Sequence, residues 1–233
     1  MTIALIILAA LMGYLLGSIP WGVIISKKFA NKDLLQVGSG KTGTTNVLRT
    51  AGKKAAALAL ILDIGKGALA VALTGVIFSS NYSISIGALP WREFAKALAA
   101  AAAISGHSWS VFLKFKGGRG VATFMGGLAA LYWPAGALGG ICVLGIGFRT
   151  KYMSLGSIIG AVTAFIMLMA FNILKIEVFG PYPAFEYMVF AMLGAIFIYV
   201  MHRDNILRLF NGTERKIGEN ITAEKLTSSH NPK

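Results

Sequence analysis

A chain of 233 residues that is 56% hydrophobic and only 13% charged, with a mean hydropathy of +0.69, falls outside the ordinary soluble classes, where charged residues are about twice as frequent. Its 22 Lys and Arg against 9 Asp and Glu leave a net charge of +13, which suits loops held on the cytoplasmic face of a membrane, attraction to anionic lipid and the capture of anionic substrates. The single cysteine, Cys142, excludes an internal disulfide and argues against a cysteine-ligated metal.

The first apolar run, about 3–25, is too long and too poor in N-terminal basic residues for a cleaved signal peptide, and is expected to stay as a membrane helix. At a rise of 1.5 Å per residue, spans are also expected near 56–78 and 153–174, with shorter ones near 94–108 and 184–201. The uncharged stretch Gly120 to Phe148 is long for one crossing and is interrupted by Trp133-Pro134, which predicts two short helices that turn and come back.

Charge placement sets the orientation. Lys27, Lys28, Lys32, Lys41, Arg49, Lys53 and Lys54 put the first long loop in the cytoplasm and the N-terminus outside. Lys114, Lys116 and Arg119 return to the cytoplasm, and the turn at Trp133-Pro134 keeps Arg149, Lys151 and the later basic residues there too. The expected fold is all-α: a polytopic membrane helix bundle of about seven membrane helices, two of them short, with the N-terminus outside and the C-terminus cytoplasmic. One integral membrane catalytic domain is expected over 1–218 and a cytoplasmic tail over 219–233.

Three loops carry chemical character. The first, Gly38 to Lys54, has Gly38, Gly40 and Gly43 to let backbone N–H groups approach a ligand, Ser39, Thr42, Thr44, Thr45 and Asn46 as neutral donors, and Arg49, Lys53 and Lys54 as cations. That set suits a phosphate. Gly38 to Gly43 spells G-x-G-x-x-G, but an apolar helix rather than a strand precedes it, and a Walker A loop would need glycine where Leu35 stands. The plain alternative is a solvated connection of turn formers.

In the second loop, Gly117, Gly118 and Gly120 flank Arg119 just ahead of an apolar helix, where backbone amides and the helix dipole favour an anion, with Lys116 and Arg119 in support. His107 beside Trp109 is a packed interfacial residue or a functional one. In the third, His202 and Asn205 share a helix face, as Asp204 and Arg208 do. His202 can serve as proton acceptor or cationic anchor, and the competing reading is an amphipathic surface helix. Asp63 and Lys66, at i and i+3 deep in a span, are expected to neutralise each other. With only three aspartates, no H-x4-D and no G-x-S-x-G, an enzyme of this sequence is expected to work without metal or cofactor, by positioning and charge neutralisation; no nucleic-acid partner is expected.

With all three loops read, the chain resembles the bacterial acyl-phosphate-dependent glycerol-3-phosphate acyltransferases, integral membrane proteins of phospholipid synthesis. The resemblance runs from Gly17-Ser18-Ile19-Pro20 to about Ile217, through Thr45-Asn46-Val47-Leu48-Arg49 and Gly52-Lys53-Lys54, Asp63 with Lys66-Gly67, Gly106-His107, Phe115-Lys116-Gly117-Gly118, Gly120-Val121-Ala122-Thr123, and His202 with Asn205-Ile206. It implies several membrane helices and transfer of a fatty acyl group from acyl phosphate to the 1-hydroxyl of glycerol 3-phosphate, giving lysophosphatidic acid and phosphate. It also implies that Ser39 and Arg49 are essential, that the second motif binds glycerol 3-phosphate, and that His202 and Asn205 serve activity. Ser39, Asn46 and backbone amides are expected near the acyl phosphate, and Arg49, Lys116 and Arg119 on phosphates. The implied location is the bacterial inner membrane, with the site facing the cytoplasm. Lys41 stands where the family usually has asparagine, Arg119 where lysine is usual, Ser110 for proline and Met201 for arginine. The alternative function is a transporter of an organic phosphate, which predicts polar residues on both sides of the membrane, whereas the charge here is one-sided.

Overall fold

The computed structural model describes residues 2–78, 91–178 and 180–218, so the expected tail over 219–233 lies outside the described residues. Among these, all regular structure is helical: α1 Thr2–Ser18, α2 Trp21–Ala30, α3 Thr44–Ile77, α4 Trp91–Ser108, a 3₁₀ turn Val111–Leu113, α5 Val121–Leu131, α6 Trp133–Thr150, α7 Met153–Ile173, α8 Phe185–Met201 and α9 Arg203–Phe210. Three stretches are long and apolar enough to cross a membrane: Ile3–Ala30, which includes α1 and α2, then α3 and α7. A fourth is added if α8 and α9, bent by 59°, count as one. The protein is therefore a membrane-type helical bundle.

The span expected to run unbroken over 3–25 is interrupted at Ile19-Pro20, because proline cannot supply the N–H that continues a helix. Carbonyls left without partners in apolar surroundings are costly. Here Ser110 Oγ donates to the Ser18 carbonyl at 2.6 Å, and Lys66 Nζ donates to the Ile19 carbonyl at 3.0 Å. Lys66 also pairs with Asp63 at 2.8 Å, as the i, i+3 spacing predicted, and His107 Nδ1 lies 3.5 Å from the same carboxylate. One buried cluster thus joins α1, α3 and α4.

Small residues set the helix spacing. A Cβ on Gly17 would sit 2.1 Å from the Ala103 carbonyl oxygen, and one on Gly106 2.2 Å from that of Tyr14, so α1 and α4 pack backbone to backbone. Gly67 against Thr123 and Gly126 against Ile64 bring α3 and α5 equally close. Between α5 and α6 the chain reverses at Tyr132, one residue before the Trp133-Pro134 signal, and a Cβ on Gly136 would meet the Ala129 nitrogen at 2.6 Å. Phe124, Leu128, Leu168, Phe190 and Ile198 fill the main core.

Helix α3 has one break. Gly52 has φ 84° and ψ −179°, a conformation that strains any residue with a Cβ, and it separates the short segment carrying Arg49 from the long apolar one carrying Asp63. The break keeps Arg49 at the polar end of the bundle.

Candidate active site

The first loop is folded around Asn46. Its Nδ2 lies within 3.0–3.1 Å of the Leu34, Val37 and Lys41 carbonyls, and its Oδ1 accepts the Ser39 N–H at 3.1 Å. Gly38, at φ 63°, is required because a Cβ there would lie 2.1 Å from Asn46 Oδ1. The Asn46 amide, expected near the acyl phosphate, is engaged within the loop, where it holds the Ser39 N–H, and the residue also lines the cavity described below.

In the second loop the glycines press on His107. The Gly118 N–H donates to the His107 carbonyl at 3.0 Å, a Cβ on Gly118 would lie 2.0 Å from His107 Nε2, and one on Gly117 2.3 Å from the His107 carbonyl oxygen. His107 is accordingly buried and packed against Asp63. Gly120, at φ 81°, starts α5. Arg119 Nε donates to the Met201 carbonyl at 3.1 Å, tying this loop to the third. Burial, then the nearby Arg208 charge, lower the Arg119 pKa against the pull of Glu214, and the guanidinium remains a cation. Lys116 is exposed and is not among the residues lining the cavity described below.

The third loop contains the residue that sequence reasoning missed. Glu214 is buried; its Oε1 accepts from Asn205 Nδ2 at 2.7 Å and Ser154 Oγ at 3.0 Å, and its Oε2 accepts from Arg208 Nε at 2.9 Å. Arg208 therefore pairs with Glu214, whereas Asp204, its helical neighbour by spacing, faces Arg203 at an exposed 3.6 Å. The available signal was a lone acidic residue in the basic run Ile206 to Gly218.

His202 is 3% exposed, and its Nδ1 lies 2.7 Å from the Ile198 carbonyl. A carbonyl only accepts, so Nδ1 carries the proton and the neutral ring keeps Nε2 as an acceptor. Burial, reinforced by the Arg119 charge and opposed by the Ile198 bond, pushes the His202 pKa down to about 4.

These loops close on one cavity of about 680 Å³. Ser39, Gly43, Thr45, Asn46, Arg49, Lys53, His107, Arg119, Gly120, His202 and Asn205 line it; Gly38, Gly40, Lys116, Gly117 and Gly118, in the first two loops, do not. Arg215 donates to the Gly38 carbonyl at 3.3 Å, and Arg49 reaches the Arg215 and Lys216 carbonyls at 3.4 and 3.5 Å, which locks the first loop to the third. Lys41, Arg49, Lys53, Arg119 and Arg215 face only Asp63 and Glu214 as opposite charges, so the lining has an excess of positive charge. Beyond this polar end the same cavity continues between α3, α5 and α6, along Ala57, Leu60, Met125, Leu144 and Phe148. No three His, Cys, Asp or Glu side chains converge as metal ligands among the described residues.

Comparison with known proteins identifies the family. The family model for glycerol-3-phosphate acyltransferase matches residues 7–212. Glycerol-3-phosphate acyltransferase 3 of Dehalococcoides mccartyi (strain CBDB1) is 45% identical over 94% of this chain and 99% of its own length. The glycerol-3-phosphate acyltransferase of Dinoroseobacter shibae is 40% identical over 92% and 94%. Among solved structures, PlsY (YgiH), an integral membrane glycerol 3-phosphate acyltransferase, is similar in its glycerol 3-phosphate form with a TM-score of 0.75 and 32% identity, covering 95% of this chain and 98% of that one. Its lysophosphatidic acid form gives 0.72 and 32%, covering 91% and 95%. The chain belongs to the glycerol-3-phosphate acyltransferase family of integral membrane proteins.

Proposed function

We propose that this protein transfers a fatty acyl group from acyl phosphate to the 1-hydroxyl of sn-glycerol 3-phosphate, giving 1-acyl-glycerol 3-phosphate and inorganic phosphate, on the cytoplasmic side of the bacterial inner membrane. The observation that carries this reading is the join, within one cavity, of a cation-rich end and an apolar slot. Both substrates bear phosphate and one bears a hydrocarbon tail, so a site for them needs both environments in continuity. Lys27, Lys28, Lys32, Lys114 and Lys116 are exposed and lie in the loops that the positive-inside rule assigns to the cytoplasm, which supports the orientation and a fold of about seven membrane helices with the N-terminus outside.

Acyl phosphate is a mixed anhydride with a good leaving group. The glycerol oxygen attacks the acyl carbon, the bond from that carbon to the phosphate oxygen breaks, and phosphate departs with the bonding electrons. Ser39 and the loop amides are placed to hold the acyl phosphate, and Arg49, Arg119 and Lys53 to neutralise the phosphates. Lys41, half-buried in the lining, adds a further cation there. His202, held neutral with Nε2 as acceptor, orients a glycerol hydroxyl together with Asn205. Burial and the Arg119 charge push the His202 pKa down to about 4, which favours a substrate phosphate oxygen over His202 as acceptor of the attacking hydroxyl's proton.

Purified protein supplied with glycerol 3-phosphate and either acyl phosphate or acyl-CoA tests the donor. Lysophosphatidic acid is expected from acyl phosphate alone; product formed only from acyl-CoA, or from neither, would overturn the proposal.

A further inference from the structure

The apolar slot has an end wall. Away from the polar end, its last lining residue is Ile64 on α3, Met125 on α5 and Gly140 on α6. Direct packing holds these three helices together at that level. A Cβ on Gly126 would lie 2.0 Å from the Ile64 carbonyl oxygen, and one on Gly139 3.2 Å from Met125 Sδ. From Lys53 at the polar end to Ile64 the cavity follows α3 for about 16 Å at 1.5 Å per residue, with Asp63 also in its lining. Gly139 and Gly140 are neighbours in sequence but opposite in surroundings. The first is wedged between Ala164, Gly160 and Met125, whereas a Cβ on the second would meet nothing within 4 Å.

We propose that Gly140, opposite Ile64 and Met125, is the residue that sets the length of acyl chain the enzyme accepts. This rests on the acyl-transfer reading of the cavity given above. The space left by the missing side chain at 140 holds the distal methylenes of the chain, and the buried Met125 side chain closes the slot behind them. Each methylene denied burial weakens binding roughly fourfold. A side chain at 140 therefore penalises long chains and leaves short ones untouched.

The test compares wild type, Gly140→Leu and Gly145→Leu with saturated acyl phosphates of increasing length, scoring kcat/KM for each. Gly145 also has open space around it but does not line the cavity, so it controls for leucine substitution in α6. Gly140→Leu is expected to keep wild-type kcat/KM on the shortest donors and to lose roughly tenfold or more on the longest, while Gly145→Leu keeps the wild-type profile. An unchanged profile in Gly140→Leu would overturn the inference and show that the tail leaves the slot sideways into lipid. So would a uniform loss at every length. Thermal stabilisation of the same proteins by lysophosphatidic acids of matching lengths reads the slot without a donor. A truncated length profile there, with no turnover of acyl phosphate, would sink the donor assignment and keep the end wall. No truncation would sink the end wall alone.

Discussion

Asn205 donates its amide N–H to Glu214 at 2.7 Å, and that bond decides which way round the amide stands. A carboxylate only accepts, so Nδ2 faces Glu214, and Oδ1 is buried with no hydrogen bond among the described residues. Ser154 and Arg208 hold the carboxylate from its other sides. In the acyl-transfer proposal, a substrate hydroxyl that donates would meet an acceptor rather than an NH₂ group.

Removing that control is expected to cost activity through the orientation of Asn205. In Glu214→Ala the amide is free to flip and Arg208 loses its partner, so kcat/KM for glycerol 3-phosphate is expected to fall roughly 10- to 100-fold, the scale of a hydrogen bond to a charged group. Glu214→Gln, which can still accept from Asn205 but carries no charge for Arg208, is expected to fall between. Wild-type kinetics in Glu214→Ala would contradict the positioning role.

The pH response of His202 follows from its burial and from Arg119. In the folded protein it titrates near pH 4 instead of 6.5. Between those values the unfolded chain takes a proton that the folded chain refuses, so the His202 contribution to stability declines as pH falls from 6.5 towards 4 and is level above 6.5. Nitrogen NMR of labelled histidine in detergent is expected to show His202 neutral, with Nδ1 protonated, at pH 6. A midpoint between pH 6 and 7 would contradict this.

Close packing makes Gly118→Ala a sharp stability test. The added Cβ meets the His107 ring, backed in turn by Asp63, with little room to shift. A loss of about 1–3 kcal/mol is expected, visible as a lowered melting temperature. In Gly145→Ala, where nothing lies near, stability is expected to hold or rise by about 0.5–1 kcal/mol. Equal melting temperatures for the two variants would contradict the packing described here.

Arg119 both carries charge and ties two loops through its bond to the Met201 carbonyl. Arg119→Lys keeps the charge but not the planar fork, so a rise in the glycerol 3-phosphate KM of roughly 3- to 10-fold is expected, with a larger rise in Arg119→Ala. If the two variants behave alike, charge at this position contributes nothing.

What the sequence made legible depended on local signals. Apolar runs, glycine clusters and the i, i+3 spacing of Asp63 and Lys66 are properties of neighbouring residues, and the helices, the reversal near Trp133-Pro134 and the buried pair follow from them. Contacts between distant segments left no such trace. Nothing near His107 announces Asp63 as its neighbour, and the Asn46 amide reads as a ligand donor until the folded loop wraps around it. The pairing of Arg208 with Glu214 over Asp204 depends on the chain turning back after α9, which spacing within a helix cannot reveal. The break at Pro20 was written in the sequence, and the hydropathy of 3–25 masked it.

Direct attack of glycerol 3-phosphate on acyl phosphate within the cavity is tested most directly by phosphate release from acyl phosphate with and without the acceptor. Release is predicted to depend on glycerol 3-phosphate and to match lysophosphatidic acid mole for mole. Phosphate released at the same rate without glycerol 3-phosphate, or with no lysophosphatidic acid formed, would contradict it.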